Sequence, residues 1–316
     1  MESIFGTLRD AALIQRTGGG TGFSFSRLRP AGDVIASTGG KSSGPVSFMR
    51  IYDCATENIK LGGKRRGANM DVLRVDHPDI KEFVNAKRDG VSFRNFNISV
   101  GATDEFMSAV KSGGDLDLLH STNRRVVRTI SAGKLFDDIC EAAWATGDPG
   151  LIFLDTIARA NPLPACGQIE ATNPCGELPL LPYESCNLGS INLIHFVRHD
   201  GGHSAVDYEG LRIQVHHAVR FLDDVISVNR FPLEAISTTT LANRKIGLVK
   251  RDSPRCSWPK SEACFRIGAQ VSTRPRVCGF EMPHSPRLLL QARSVSLREP
   301  VLASNLCSPW PTADIS

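Results

Sequence analysis

From Thr17 to Leu248, short apolar runs alternate with segments whose apolar residues recur at helical spacing, and turn-rich stretches separate the two. This alternation constrains the chain more than any other feature, because it favours an α/β fold. Phe48, Ile51, Tyr52 and Ala55 fall on one helical face. Asp79 to Ala86 predicts a short helix with Ile80, Phe83 and Val84 inward. Phe96, Ile98 and Val100 alternate with Asn97 and Ser99, the pattern of a half-buried strand. Thr103 is placed to cap a helix over Asp104 to Lys111. Leu135, Phe136, Ile139 and Ala143 predict another helix, ended by Gly147-Asp148-Pro149-Gly150. Leu151 to Leu154 reads as a buried strand ending at Asp155, and Ile191 to Val197 as a further strand. The longest helical stripe is Tyr208, Leu211, Val215, Ala218, Val219, Leu222, Val225 and Ile226. No internal repeat is visible.

The pattern stops near Leu248. Beyond it the chain is dense in Pro, Ser, Arg and Cys, and prolines from Pro254 to Pro311 interrupt any helix or central strand. Cys256, Cys264, Cys278 and Cys307 have no CxxC spacing, so a metal site there finds no support. Two segments follow: residues 1–248, and a tail, 249–316, that reads as frame-shifted or disordered.

Composition excludes several classes. A net charge of +4 over 316 residues, with only short basic clusters such as Lys64-Arg65-Arg66, gives no nucleic-acid surface. No apolar run approaches the roughly 20 residues that span a bilayer. The start, Met1-Glu2-Ser3-Ile4-Phe5, has no secretory pattern. Nine cysteines, an odd number at irregular spacing, argue against a secreted disulfide framework and for a reducing, cytoplasmic setting.

Three glycine-rich loops punctuate the first part: residues 18–22, 39–44 and 62–67. Gly40-Lys41-Ser42 lacks the earlier glycine of a P-loop, since that position is Ile35. Gly18 and Gly20 would need a glycine at Phe23 for a dinucleotide fingerprint. What remains is exposed backbone N–H and room for close approach, which serves a tight turn as well as a ligand.

The loop from Asn173 to Cys186 carries the chemistry. In an extended or tip conformation Asn173, Cys175 and Glu177 would face one site: an amide, a thiol and a carboxylate within reach of one substrate. Cys186 lies eleven positions after Cys175. No second pair of ligands supports a zinc site, and two buried cysteines acting as small hydrophobes stay an alternative on spacing alone.

The run Asn173-Pro174-Cys175-Gly176-Glu177, continuing to Leu193, closely resembles the active-site finger of adenosylcobalamin-dependent ribonucleotide reductases. Residues 17–25, 37–48, 60–70 and 243–248 resemble the same family in the same order. The resemblance implies a ten-stranded α/β barrel with a finger loop through its centre. It implies that Cys175 is the thiyl radical, that Glu177 accepts the 3′-hydroxyl proton and that Asn173 hydrogen-bonds the substrate. Cys186 would be one half of the reducing dithiol. The substrate would lie against Gly19, Gly20 and the Asn173, Pro174, Cys175, Gly176, Glu177 segment, and the loop containing Lys60, Leu61, Arg65 and Ala68 would relay effector identity. The implied cofactor is adenosylcobalamin. The implied partners are a ribonucleotide, a diphosphate by preference, a nucleotide effector, a thioredoxin-like or dithiol reductant, and a second copy of the chain. No membrane, nucleic-acid or metal-ion partner is implied.

Four departures from the family pattern qualify these expectations. The second redox cysteine would fall upstream of Ser3, leaving Cys186 unpaired. The apolar helix expected after Leu248 is replaced by Val249-Lys250-Arg251-Asp252-Ser253-Pro254. Leu61 stands where the specificity loop usually has glutamine, and Asp71 where glycine is usual. The expectation is a fragment that does not turn over alone. The alternatives are an iron-dependent large subunit, or a nucleotide-binding module without catalysis.

Overall fold

A computed structural model describes residues 1–35, 39–61, 65–200, 203–251, 268–272 and 303–305. It has two compact units, Met1–Glu184 with Arg293–Ser316, and Ser185–Ala292. The fold is mixed α/β, as the alternation predicts.

In the first unit α1 (Glu2–Arg16) precedes β1 (Gly20–Ser24), and α2 (Gly44–Asn58) precedes the short pair β2 (Lys60–Leu61) and β3 (Arg65–Arg66). Then come β4 (Asn69–Arg74), α3 (Ile80–Val84), β5 (Phe96–Ala102) and α4 (Asp104–Ser112). The hairpin of β6 (Asp115–Leu119) and β7 (Val126–Ser131) leads to α5 (Ala132–Thr146), β8 (Gly150–Phe153) and α6 (Leu154–Arg159). A second hairpin, β9 (Ala171–Thr172) and β10 (Pro179–Leu180), ends the unit's main segment. Strands β1, β4, β5 and β8 are parallel neighbours in that order, each reached through helical crossovers. No closed sheet forms among the described residues.

The second unit contains β11 (Ser185–Asn192), the hairpin β12 (Val197–Asp200) and β13 (His203–Val206), α7 (Tyr208–Val228), α8 (Glu234–Asn243), β14 (Lys245–Arg251) and β15 (Gly268–Ser272). Strand β11 runs parallel to β14. Leu222 and Ile226 of α7 pack on Ile191, Leu193, Ile246 and Leu248. A last short strand, β16 (Ala303–Asn305), pairs antiparallel with β1 in the first unit. Apart from residues 249–251 and the backbones of β15 and β16, the predicted tail lies outside the described residues.

Helix ends follow their chemistry. Thr103 Oγ1 accepts from the Phe106 N–H at 3.1 Å, and Gly113 and Gly147 close α4 and α5 in the left-handed conformation. Ile80, Phe83 and Val84 are buried as predicted. Three expectations are corrected. The inward face of α2 is Val46, Met49, Tyr52 and Thr56, while Ile51 is exposed, because the helix rests on the sheet along a stripe turned from the predicted one. Residues 150–153 form a partly exposed strand at the sheet edge rather than a buried one, and Asp155 sits in the first turn of α6. The strand predicted over 191–197 ends at Asn192, whose side chain accepts from the Ile194 N–H at 3.2 Å and starts a 3-10 turn.

Parallel register divides the first sheet into two faces. Phe23, Asp71 and Ile98 are in register on one face; Gly22, Met70 and Asn97 are in register on the other. The first face meets α1 and α2. Tyr52 stands edge-on to Phe23 and Phe25, with ring centroids 5.0 and 5.3 Å apart. Beside this aromatic cluster, Gln15 Nε2 donates to Asn69 Oδ1 at 2.8 Å, Thr21 Oγ1 donates to the same oxygen at 2.6 Å, and Asn69 Nδ2 donates to Thr56 Oγ1 at 2.9 Å. All four residues of this network are buried.

Asp71 departs from that rule. It is 0% exposed, and neither carboxyl oxygen has a hydrogen-bond partner of ordinary geometry. Burial pushes its carboxyl well above the usual carboxylate range, and the nearby Phe25 and Val72 amides oppose this only in part. A carboxyl whose folded-state pKa is raised stabilises fully below the unfolded value, near 3.9, and that stability is lost as pH rises. Asp71→Asn, which cannot titrate, is therefore expected to melt above the parent at pH 7, and the difference should shrink as pH falls toward 4. Melting temperatures of both chains between pH 4 and 8 check this; a parallel pH dependence would refute it.

Candidate functional site

The second face of the sheet carries the hairpin of β9 and β10. Its strands pair Thr172 with Pro179 and Ala171 with Leu180. Ile169, Ala171 and Leu181 anchor its base against Ile157 of α6. The tip is closed by internal bonds: Gly176 N–H to Asn173 O at 3.0 Å, Asn173 N–H to Leu178 O at 3.0 Å, and Leu178 N–H to Asn173 Oδ1 at 2.9 Å. Gly176 has φ +85°, a conformation glycine adopts without strain.

The hairpin lies directly on β1. A Cβ on Gly22 would fall 1.7 Å from the Thr172 carbonyl oxygen, and one on Gly20 would fall 2.6 Å from the Pro174 ring. These glycines are required by close approach of backbone and proline. A Cβ on Gly176 would lie 3.7 Å from Met70 Cε, and Asn97 Nδ2 donates to the Pro174 carbonyl at 2.6 Å. Gly22, Met70 and Asn97 are site residues that sequence reading did not single out. Their signal was present: two glycines at alternate positions of one strand leave one sheet face bare, and Asn97 was the polar member of the alternation in β5.

The predicted residues are distributed as follows. Cys175 and Glu177 are both exposed near the hairpin tip, close enough for the carboxylate to influence the thiol. Asn173 does not share their exposure: it is 1% exposed, its oxygen staples the loop, and its Nδ2 is buried without a hydrogen-bond partner. The three therefore do not project together as an extended loop would have them, because the chain turns at residues 173–176. Pro174 is buried over Gly20, and Gly19 gives its N–H to Ile14 O at 3.1 Å, closing α1. Ala68 O accepts from the Thr21 N–H at 3.1 Å. Lys60 and Leu61 pair with Arg66 and Arg65 as backbone, while their side chains lie outside the described residues. Cys186 is a buried thiol at the start of β11 in the second unit. Asp71, which stands where the family usually has glycine, is a buried residue of β4.

Partial burial, with the negative charge of Glu177 adding to it, raises the Cys175 pKa. The sulfur thus keeps its proton near neutral pH, which disfavours a thiolate nucleophile and leaves an S–H bond available. Among the described residues no cluster of His, Cys, Asp or Glu is suited to hold a metal ion, and no helix is long and apolar enough to cross a membrane.

Fold and site together define a mixed α/β protein that presents a thiol on a hairpin laid across its parallel strands. Residues 1–248 match the family described as ribonucleotide reductase, barrel domain, and the chain belongs to that family. It is 57% identical over 249 residues to a vitamin B12-dependent ribonucleoside-diphosphate reductase of Mycobacterium tuberculosis (strain ATCC 25618 / H37Rv), covering 78% of this chain and 35% of that protein. It is 52% identical over 281 residues to the protein of the same name in Thermoplasma acidophilum, covering 86% and 36%. With the vitamin B12-dependent ribonucleotide reductase of Streptomyces coelicolor it shares 37% over 273 residues, covering 78% and 28%. The chain spans about a third of the length of these relatives.

Two outcomes follow from this geometry. Gly22→Ala forces Thr172 off the sheet and is expected to lower stability by at least about 1–3 kcal/mol, the usual range for overpacking, read as a fall in thermal midpoint. Glu177→Gln removes the charge beside Cys175, so iodoacetamide should modify Cys175 faster at pH 8, as peptide mass spectrometry would report. An unchanged rate would exclude the electrostatic coupling.

Proposed function

We propose that this chain is part of a cobalamin-dependent reductase that converts ribonucleotides, with diphosphates as the preferred class, to deoxyribonucleotides for DNA synthesis. The observation that carries the reading is the place of Cys175: a thiol on a turn fixed to the sheet, with the Glu177 carboxylate two residues on. Such a sulfur is suited to give up a hydrogen atom, not a proton. The names of its relatives favour adenosylcobalamin over an iron-dependent partner subunit. When bound, adenosylcobalamin supplies the radical that takes this hydrogen.

Each residue then has a part. Cys175, as a thiyl radical, removes hydrogen from C3′ of the ribose and later returns it. Glu177 takes the 3′-hydroxyl proton while a thiol of the Cys186 pair protonates the 2′-hydroxyl, which leaves as water. The buried Asn173 Nδ2, lacking a protein acceptor, offers its N–H to the substrate. Cys186 and a second thiol supply two electrons and become a disulfide, which a thioredoxin-like protein or a small dithiol reduces again. Gly19 and Gly20 border the substrate, and the loop from Lys60 to Ala68 carries effector identity to it, its stem tied to β1 through Ala68 and Thr21. The family's ten-stranded barrel, closed around the hairpin, would keep water from the radical. A homodimer and a cytoplasmic location belong to the same proposal.

The test uses a chain extended over the length of its relatives. Given adenosylcobalamin, a ribonucleoside diphosphate, effector and dithiol, it should form deoxyribonucleotide. Cys175→Ala should abolish turnover while nucleotide binding by calorimetry persists. Binding without turnover in the parent would favour a nucleotide-binding module, and turnover only with an iron-containing partner would favour the other reductase class. For the tail, we propose that the native frame ends near Leu248. The Thermoplasma alignment, covering 86% of the chain, runs past that point, and resequencing the gene across residues 240–316 decides between them.

A further inference from the structure

We infer that Asn97 is a positioning residue that holds the Cys175 thiol at its working place on the sheet. The inference rests on the reading of Cys175 as the reacting thiol. Asn97 was not singled out as a site residue by sequence, and it stands one strand away from β4 at the start of β5.

The bonds that shape the hairpin tip are internal to it. Asn173 O, Asn173 Oδ1 and Leu178 O close the turn on itself, fixing its form but not its location. The glycines of β1 set how near the hairpin can come, because Pro174 and Thr172 rest where a Cβ would be. Van der Waals contact of that kind resists approach and leaves sliding along the strands weakly opposed. The amide of Asn97 adds direction. Its Nδ2 donates to the Pro174 carbonyl at 2.6 Å, and that carbonyl belongs to the peptide group whose nitrogen is Cys175's own. A hydrogen bond at this atom fixes the peptide plane immediately before the thiol-bearing Cα.

Register makes the arrangement specific. Asn97 is level with Met70 of β4, and Met70 is level with Gly22 of β1. On this row Gly22 admits Thr172, Met70 Cε lies 3.7 Å from where a Cβ on Gly176 would be, and Asn97 grips Pro174. Three adjacent strands thus each face a different part of the hairpin. Asn97 is exposed, so its amide adds little to the core, and its loss leaves the fold in place. Hydrogen-atom transfer depends steeply on the separation of donor and acceptor, and a displacement of about 1 Å can cost about a hundredfold in rate.

Asn97→Ala removes the side chain's grip, and Asn97→Asp keeps the size while replacing the donor by an acceptor that faces the Pro174 oxygen. Hydrogen–deuterium exchange on the 316-residue chain is the first readout. Both variants should keep the parent's thermal midpoint within a few degrees and exchange faster in peptides covering residues 171–180. Steady-state kinetics on the extended chain is the second. kcat should fall about tenfold to a hundredfold with KM for the ribonucleotide within twofold of the parent. Unchanged exchange at the tip in both variants would overturn the tether. Parental kcat, or a raised KM alone, would overturn the positioning role, provided Cys175→Ala in the same preparation is inactive. An active Cys175→Ala would instead sink the reading of Cys175 and the catalytic part of the inference with it, while the exchange result would still judge the tether.

Discussion

The contact on which this site depends is a backbone lying on a backbone. The Thr172 carbonyl rests where the Cβ of residue 22 would be in any other amino acid, and the Pro174 ring does the same over residue 20. A sheet face paved with ordinary side chains holds its neighbour several ångströms further off. Two alternate glycines in β1 remove that spacing, and the hairpin sinks until its tip is within hydrogen-bond reach of β5. The exposure of Cys175, the burial of Asn173 and the grip of Asn97 all follow from that depth.

The opposite face of the same strands does other work. Thr21 and Phe23 of β1, with Asn69 and Asp71 of β4, point toward α1 and α2, where aromatic rings and a buried polar network fill the interface. One strand therefore carries two incompatible demands, bareness on one side and bulk on the other. The period of two in a strand is what lets a sequence as short as Gly20-Thr21-Gly22-Phe23 meet both.

Much of this was legible in the sequence. Helices with clean caps, such as Thr103 over α4 and the glycine-ended α5, fell where apolar spacing and local chemistry agree. The α/β class followed from alternation, and the finger followed from a resemblance spread over several segments. What escaped depends on tertiary contact. The inward stripe of α2 is set by how the helix rests on the sheet, which spacing among Phe48, Ile51 and Tyr52 does not encode. Leu151 to Phe153 looks apolar enough for a central strand but lies at the sheet edge. Asn173 looked like a partner of Cys175 and Glu177 in an extended loop; the turn over residues 173–176 buries it beneath the hairpin tip instead. Asn97 was visible only as an alternating polar residue until register placed it beside Pro174.

The network of Gln15, Thr21, Thr56 and Asn69 has a consequence for how such a chain changes over time. Each member draws on others for its hydrogen bonds, and all four are sealed from water. Gly67 lies so close that an added Cβ would meet Gln15 and Thr56 at 2.9 Å. Replacement of one member strands the donors and acceptors of the rest, whereas replacement of several together need not. Drift at these positions is then a matter of sets and not of single letters, and a lineage crosses from one solution to another only in concerted steps.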